Sequence, residues 1–328
     1  MTPAAHAQPA HPSPSALVIG EALIDIVRAP DGAVTEHAGG SPMNVAVGLA
    51  RLEHPVEFAS WFARDDHGRL IADHLASDGV RLTPGTDGAP RTSTAAATLA
   101  ADGQATYEFD LDWSLPPVRT ADVPALVHTG SIAGVLTPGA EQVRATVAEH
   151  RATAAVSYDP NARPSIMGEA AAARRDVEAL VALSDVVKVS DEDVAWLCGE
   201  SSEEALVGVV HSWLDLGPGL VVVTRGGAGA TAWARDGATA DVACEQVEVV
   251  DTVGAGDSFM AGLVDGLWRL GLLADLAGGA RPADRLAALD AGTLERVLRR
   301  CARIAAITVS RAGANPPRLD ELPIDVAL

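Results

Sequence analysis

The residues best placed to do chemistry stand in one short run, Asp251-Thr-Val-Gly-Ala-Gly-Asp257-Ser-Phe. Apolar residues follow at Phe259, Met260, Leu263, Val264 and Leu267, and this spacing by three and four predicts an amphipathic helix. The turn Gly254-Ala255-Gly256 that opens the helix bares backbone N–H groups. The helix dipole adds positive potential there, so the turn suits an anion such as a transferring phosphate. An aspartate in this first turn has two readings. It can cap the helix, or it can take the proton that leaves an alcohol as a phosphorus–oxygen bond forms. The second reading makes Asp257 a general base for phosphoryl transfer.

Other segments carry weaker signals. Gly39-Gly40-Ser-Pro-Met-Asn44 is a glycine turn running into another amphipathic helix. Such a pair of glycines needs no more explanation than a positive φ, but Asn44 offers both donor and acceptor to sugar hydroxyls. Arg163, in Tyr158-Asp-Pro-Asn161-Ala-Arg163, can clamp an anion through two parallel N–H bonds, or it is a surface arginine. Thr224-Arg-Gly226-Gly-Ala-Gly229 follows an apolar strand but runs into a further strand-like segment. A dinucleotide fold places its glycine turn between a first strand and a helix, so this turn argues against an NAD-dependent oxidoreductase. His128 and His211 lack metal-ligand spacing. The six tryptophans are not interleaved with basic residues and fit packing.

These side chains must be positioned by regular elements. Short Val- and Ile-rich runs at Leu17–Ile19, Val156–Tyr158, Val186–Val189 and Leu220–Thr224 alternate with helical patterns, which predicts a parallel sheet covered on both faces. Two β-rich stretches, about 22–38 and 91–109, contain Asp31-Gly32 and Asp102-Gly103 turns and predict hairpins forming a small β lid. Gly271 to Arg285 reads as a surface connection before a last helix near Thr293–Val309.

The formal charge of −20 disfavours nucleic acid and anionic membranes, so any phosphate must be held by local structure. Hydrophobic residues at 48% and charged residues at 21% fit a folded globular chain. No apolar run approaches the roughly 20 residues that span a bilayer. Residues 1–14 read as a Pro/Ala-rich disordered tail without signal-peptide features, and a cytoplasmic location is expected. Cys198, Cys244 and Cys301 fit neither a disulfide framework nor a zinc site and are expected to be buried thiols.

In their order along the chain, from about Ala16 to Leu322, these segments resemble the ribokinase and fructokinase family of carbohydrate kinases, the phosphofructokinase-B type. The run ending at Asp257 is similar to the family's second signature, which implies Asp257 as the catalytic base and Gly254, Ala255 and Gly256 as the anion hole for the γ-phosphate. Gly39 to Asn44 resembles the first signature, which implies that Gly39, Gly40 and Asn44 contact the sugar. Gly20-Glu-Ala-Leu-Ile-Asp25 resembles the opening of fructokinases and implies that Asp25 binds sugar hydroxyls. The Asp-Pro-Asn-x-Arg segment implies Asn161 beside the nucleotide and Arg163 beside the substrate. Thr224, Gly226 and Gly229 are implied to lie at the nucleotide phosphates.

Lys188-Val-Ser190-Asp-Glu-Asp193 occupies the place of the family's Asn-x-x-Glu motif, which organises magnesium and its waters. Ser190 and Asp193 replace the Asn and the Glu, so Asp193 and Glu192 compete for the metal role and Ser190 stays on the nucleotide side. Cys301 to Ala314 resembles the segment flanking adenine and, in members that need one, a monovalent cation such as K+, with Asp251 and Val253 as implied ligands. The implied fold is a ribokinase-like three-layer α/β/α sandwich over residues 15–328, with a mostly parallel central sheet and a β lid built from about 22–38 and 88–113. In some members that lid also serves as a homodimer contact.

The resemblance implies magnesium-dependent transfer of the ATP γ-phosphate to a primary hydroxyl of a monosaccharide. Ribokinases usually carry Lys where this chain has Ser41, and with Gly130-Ser131-Ile-Ala the whole set is more similar to fructokinases, so fructose is the expected acceptor. A 2-keto-3-deoxygluconate kinase or a nucleoside kinase is the alternative within the fold. From another class, a non-catalytic sugar-binding sensor is opposed by the presence of Asp257 and a complete Gly-Ala-Gly turn.

Overall fold

The computed structural model of the chain describes residues 14–99, 105–273, 279–326 and 328. Nine strands make the main sheet: β1 Ala16–Ile19, β4 Val56–Ala59, β5 Arg81–Leu82, β8 Leu126–Gly130, β9 Ala155–Asp159, β10 Val186–Ser190, β11 Leu220–Thr224, β12 Ala230–Ala234 and β13 Thr239–Val242. Their spatial order is β13-β12-β11-β10-β9-β8-β1-β4-β5. Pairing is parallel from β11 to β5, and β12 and β13 add an antiparallel edge.

Among the described residues, ten helices pack around it: α1 Ser41–Arg51, α2 Asp66–Ser77, α3 Gly139–His150, α4 Pro164–Met167, α5 Ala170–Val181, α6 Asp191–Cys198, α7 Glu203–Leu216, α8 Ala255–Arg269, α9 Pro282–Ala287 and α10 Ala291–Val309. Because side chains alternate across a strand, Ala16 and Val18 join one core with α1, α2, α8, α9 and α10, while Leu17 and Ile19 join another with α3, α5, α6 and α7. The inner strands are buried on both faces, and β1 and β11 read as near-continuous apolar runs for that reason, whereas the edge strands β5 and β13 are partly exposed. The architecture is the three-layer α/β/α sandwich expected from the sequence.

A second sheet, β3-β2-β6-β7, is built from β2 Leu23–Arg28, β3 Val34–Gly39, β6 Thr94–Leu99 and β7 Ala105–Asp110. The hairpin predicted at Asp31-Gly32 forms, with Gly32 at φ +89° and Asp31 accepting from the Ala33 amide. The Asp102-Gly103 turn lies outside the described residues, as do residues 1–13 of the expected tail. The two hairpins are joined by a parallel β2–β6 pairing, so they form one sheet rather than separate ribbons.

Three expectations need correction. The connection from Gly271 to Arg285 contains the start of α9, which buries Pro282, Ala283, Leu286 and Ala287. The last helix begins at Ala291, because Asp290 caps it by accepting from the Thr293 amide at 2.9 Å. Of the three thiols only Cys301 is buried, Cys198 and Cys244 being partly exposed. No helix among the described residues is long and apolar enough to cross a membrane.

The chain position of β1 in mid-sheet matters for function. The chain leaves β1 for β4 on one side and leaves its other neighbour, β8, for β9 on the opposite side, so the carboxyl ends of β1 and β8 flank a topological switch point, the ordinary place for a ligand crevice. The helix α8 that borders this crevice is fixed from behind by Asp265. That carboxylate is fully buried, with Arg300 Nε at 2.6 Å, Arg269 Nε at 2.7 Å and His54 Nε2 at 2.8 Å. Burial acts to raise its pKa, but these partners outweigh burial and hold it below the ordinary carboxylate range. Asp265→Asn strands the buried Arg300 and is expected to lower unfolding free energy by about 3–5 kcal/mol in urea titrations. A group with a depressed folded pKa stabilises above its unfolded pKa, about 3.9, and loses that contribution as pH falls through the folded value. The variant is therefore expected to lose part of the acid-side slope of stability against pH.

Candidate active site

Asp257 is the third residue of α8 and is buried, with 6% of its surface exposed. Its carboxylate is surrounded by neutral donors. Ser41 Oγ donates to Oδ1 at 2.7 Å, Asn44 Nδ2 to Oδ2 at 2.7 Å, and Asn161 Nδ2 to Oδ1 at 3.2 Å. Ser41 also accepts from Asn161 Nδ2 at 2.6 Å, and Arg163 Nη1 donates to Asn161 Oδ1 at 2.6 Å. A chain of hydrogen bonds thus runs from the guanidinium of Arg163 to the carboxylate of Asp257.

The glycines around this cluster are required by close approach. A Cβ on Gly39 would lie 2.1 Å from Asp25 Oδ2. Gly40 caps α1 at φ +124°, and a Cβ there would meet the Glu21 carbonyl oxygen at 2.4 Å. Gly254 caps α8 at φ +74°. The first-turn amides of a helix have no acceptor inside it, so the start of α8 presents donors beside Asp257.

Two cavities meet at this helix start. The first, about 370 Å³, is lined by Glu21, Asp25, Gly40, Ser41, Asn44 and Arg163, together with Asp257. The second, about 300 Å³, is mostly apolar and is lined by Val247, Val249, Phe259, Ala302, Ala305 and Val309, with Thr224, Gly226 and Gly229 at one end. Thr252, Ala255 and Gly256 line both.

The remaining predicted site residues fall around these cavities with differing engagement. Ser190 and Thr224 are register partners at the carboxyl ends of β10 and β11. Asp193 closes a capping box with Ser190 and spends both oxygens on backbone amides, Oδ1 on Ala162 at 2.8 Å and Oδ2 on Ser190 at 3.1 Å. Glu192 is exposed on α6. Asp251 accepts from the amides of Val253 at 3.0 Å and Gly313 at 2.9 Å, which hold its carboxyl below the ordinary range. Among the described residues, no group of three or more His, Cys, Asp or Glu gathers that could hold a metal ion.

Sequence reasoning gave no role to Lys188. Its ammonium is buried on β10 and bonds Asp159 Oδ2 at 2.7 Å, and a Cβ on Gly256 would lie 3.2 Å from its Nζ. The cation therefore sits against the turn that opens α8. Burial acts to lower the Lys188 pKa, but Asp159 outweighs it and keeps the ammonium charged. Burial pushes Asp159 up to about 6, and its Oδ1 has no hydrogen-bond partner. The available signal was one lysine in an otherwise apolar strand, Val186-Val-Lys-Val.

The profile of the pfkB family of carbohydrate kinases matches residues 13–321. The chain belongs to this family. It is accordingly a sugar phosphotransferase with a ribokinase-like fold. A fructokinase from Rhizobium leguminosarum bv. trifolii is 35% identical over 262 residues, covering 76% of this chain and 79% of that protein. Among solved structures, fructokinase with bound ATP from Xylella fastidiosa superposes with a TM-score of 0.76 at 26% identity, covering 92% of this chain and 93% of the other. A double-mutant fructokinase from Vibrio cholerae O395, in a form with fructose, ADP and potassium ion bound, gives a TM-score of 0.71 at 27% identity, covering 92% and 94%.

Ser41 holds the Asp257 carboxylate in place by donating to it while accepting from Asn161. Ser41→Ala is expected to lower turnover roughly tenfold at neutral pH, because the candidate base loses the bond that positions it. Steady-state rates at neutral pH check this.

Proposed function

We propose that the protein transfers the γ-phosphate of ATP to a primary hydroxyl of fructose, with Asp257 as general base. The observation that carries this reading is the position of Asp257. It lines the polar cavity, while the residues just before it, Ala255 and Gly256, line the polar and the apolar cavity alike. A sugar hydroxyl in the first cavity and a nucleotide in the second would have their reacting groups at the same helix start.

Asp257 would take the hydroxyl proton as the oxygen attacks phosphorus. The amides of Gly254, Ala255 and Gly256, with the helix dipole, would receive the developing negative charge. Lys188 would reinforce them from below, and Arg163 from the rim. Asn44 would release Asp257 to bond the sugar, and Asp25, Gly39 and Gly40 would shape the acceptor side. Thr224, Gly226, Gly229, Ser190 and Asn161 would flank the nucleotide phosphates. The apolar cavity would take the adenine.

Magnesium is the metal of this reading, because it neutralises charge on phosphate oxygens and keeps several waters while using few protein ligands. The residues present fit it: the unpartnered buried oxygen of Asp159 and the carboxylate of Asp193 would hold its waters. A potassium ion is assigned to the loop containing Asp251 and Val253. A homodimer would use the open face of the lid, where Tyr107 and Phe109 stack in the open. The enzyme is placed in the cytoplasm.

Fructose is preferred over the acidic 2-keto-3-deoxygluconate because the polar cavity sets three carboxyl groups, Glu21, Asp25 and Asp257, against the guanidinium of Arg163. Such a lining suits a neutral polyol. Release of ADP should be measured with fructose, ribose, 2-keto-3-deoxygluconate and adenosine. The highest kcat/KM is expected with fructose, and a tenfold preference for another acceptor would remove the fructokinase assignment. Asp257→Asn is expected to lower kcat by about 10² to 10⁴ with ATP binding retained, because only the proton acceptor is lost. A variant keeping half the activity would refute the base.

A further inference from the structure

Glu21 is a buried acid that the reaction above does not use. It follows β1 after Gly20, at the switch point of the sheet, and only 6% of its surface is exposed. The Ser131 hydroxyl bonds its side chain, yet Oε2 is buried with no hydrogen-bond partner. An orphaned carboxyl oxygen is costly in a protein interior and asks for a partner. Glu21 lines the same cavity as Asp25, Asn44 and Asp257, where the acceptor would sit.

From this placement we infer that Glu21 is an acceptor-specificity residue that donates a hydrogen bond from its protonated carboxyl to a hydroxyl oxygen of the sugar. The inference rests on the sugar-kinase reading of that cavity and adds to it. Asp25 and Asp257 are acceptors when ionised and take hydroxyl protons from the sugar. The hydroxyl oxygens still need donors, and a neutral carboxyl supplies one.

The surroundings favour the neutral form. Burial pushes the Glu21 pKa up to about 7; Ser131 and Arg163 oppose the rise, and Asp257 on α8 adds to it. Arg163 at the start of α4 is the cation facing the cavity, and Asp25 on β2 is a further carboxylate there. The beginning of α1 presents Gly40, Ser41 and Asn44, which do not titrate in this range, and the end of β8 leads to Ser131. A raised pKa means that Glu21 is a donor below about pH 7 and loses its proton above it. Acceptor affinity should then fall as pH rises through that range, since the donor is lost and a third negative charge enters the cavity.

The test compares KM and kcat for fructose from pH 6.0 to pH 8.5 in the full-length wild type, Glu21→Gln and Glu21→Ala, with fructose binding measured by calorimetry in the presence of a non-hydrolysable ATP analogue. The wild-type KM is expected to rise about three- to tenfold across the range with kcat changing less than twofold. Glu21→Gln keeps a donor of the same shape, so its KM should stay near the low-pH wild-type value at every pH. Glu21→Ala should raise KM roughly tenfold at pH 6.0. A purely structural role would not flatten the pH dependence in the Gln variant, and that variant carries the test should the Ala variant fail to fold. A wild type that phosphorylates fructose with a pH-independent KM overturns this inference alone, as does a pH dependence that persists in Glu21→Gln. Absence of fructose binding and turnover in the wild type overturns it together with the fructokinase reading.

Discussion

A buried carboxylate organises the centre of this protein. Ionised in an apolar interior without partners, Asp257 would cost several kcal/mol. Three neutral donors instead surround it, drawn from two other parts of the chain: Ser41 and Asn44 on α1, and Asn161 on the loop after β9. Satisfying one charge therefore fixes the relative placement of the first helix, the start of α8 and the loop that carries Arg163. Because each donor is neutral, none forms a salt bridge that a substrate must break. Exchanging a single hydrogen bond from Asn44 or Asn161 for one from a substrate hydroxyl is the smaller rearrangement.

The parallel sheet supplies the stage on which this happens. Its strands end on one edge, so residues far apart in sequence, Glu21, Ser131, Asp159, Ser190 and Thr224, line up along it. The helix α8 approaches the same edge with its amino end, and the positive end of its dipole faces the crevice. With a chain charge of −20, long-range potential does not favour phosphate. The attraction has to come from short-range features: the amides at the start of α8, Lys188 beneath them and Arg163 at the rim. The lone buried lysine is kept charged by Asp159, so the device that offsets the net charge is itself an ion pair inside the sheet.

Much of this was legible because it is local. The Gly-Ala-Gly-Asp turn, the glycine pair before α1 and the Val-rich strands are each written in fewer than about ten consecutive residues, and periodicity and turn chemistry read at that range. What escaped is non-local. Ser41 was only a position where other kinases carry a lysine, and its bridge between Asn161 and Asp257 depends on three segments meeting. The Lys188–Asp159 pair spans two strands, and the Asp265 cluster joins α8 to α10 and to His54. The parallel β2–β6 pairing that makes one lid of two hairpins is invisible to hairpin signals, which report only antiparallel neighbours.

The Ser190 to Asp193 segment shows how a structural and a functional reading coexist. A Glu at position 193 would reach further than Asp, whereas the shorter side chain folds back onto the helix start. There it caps α6 through the Ser190 amide and takes the Ala162 amide with its other oxygen. Ala162 lies between Asn161, which bonds Asp257, and Arg163, which bonds Asn161. The capping box therefore holds the loop that positions a donor to the candidate base. Asn161 sits at φ +36°, a conformation non-glycine residues seldom adopt and one that persists where surrounding bonds enforce it. Asp193 supplies one of those bonds. Even if its carboxylate touched no metal-bound water, its loss would still reach Asp257 through Ala162 and Asn161, so an effect on turnover would not by itself identify a metal ligand.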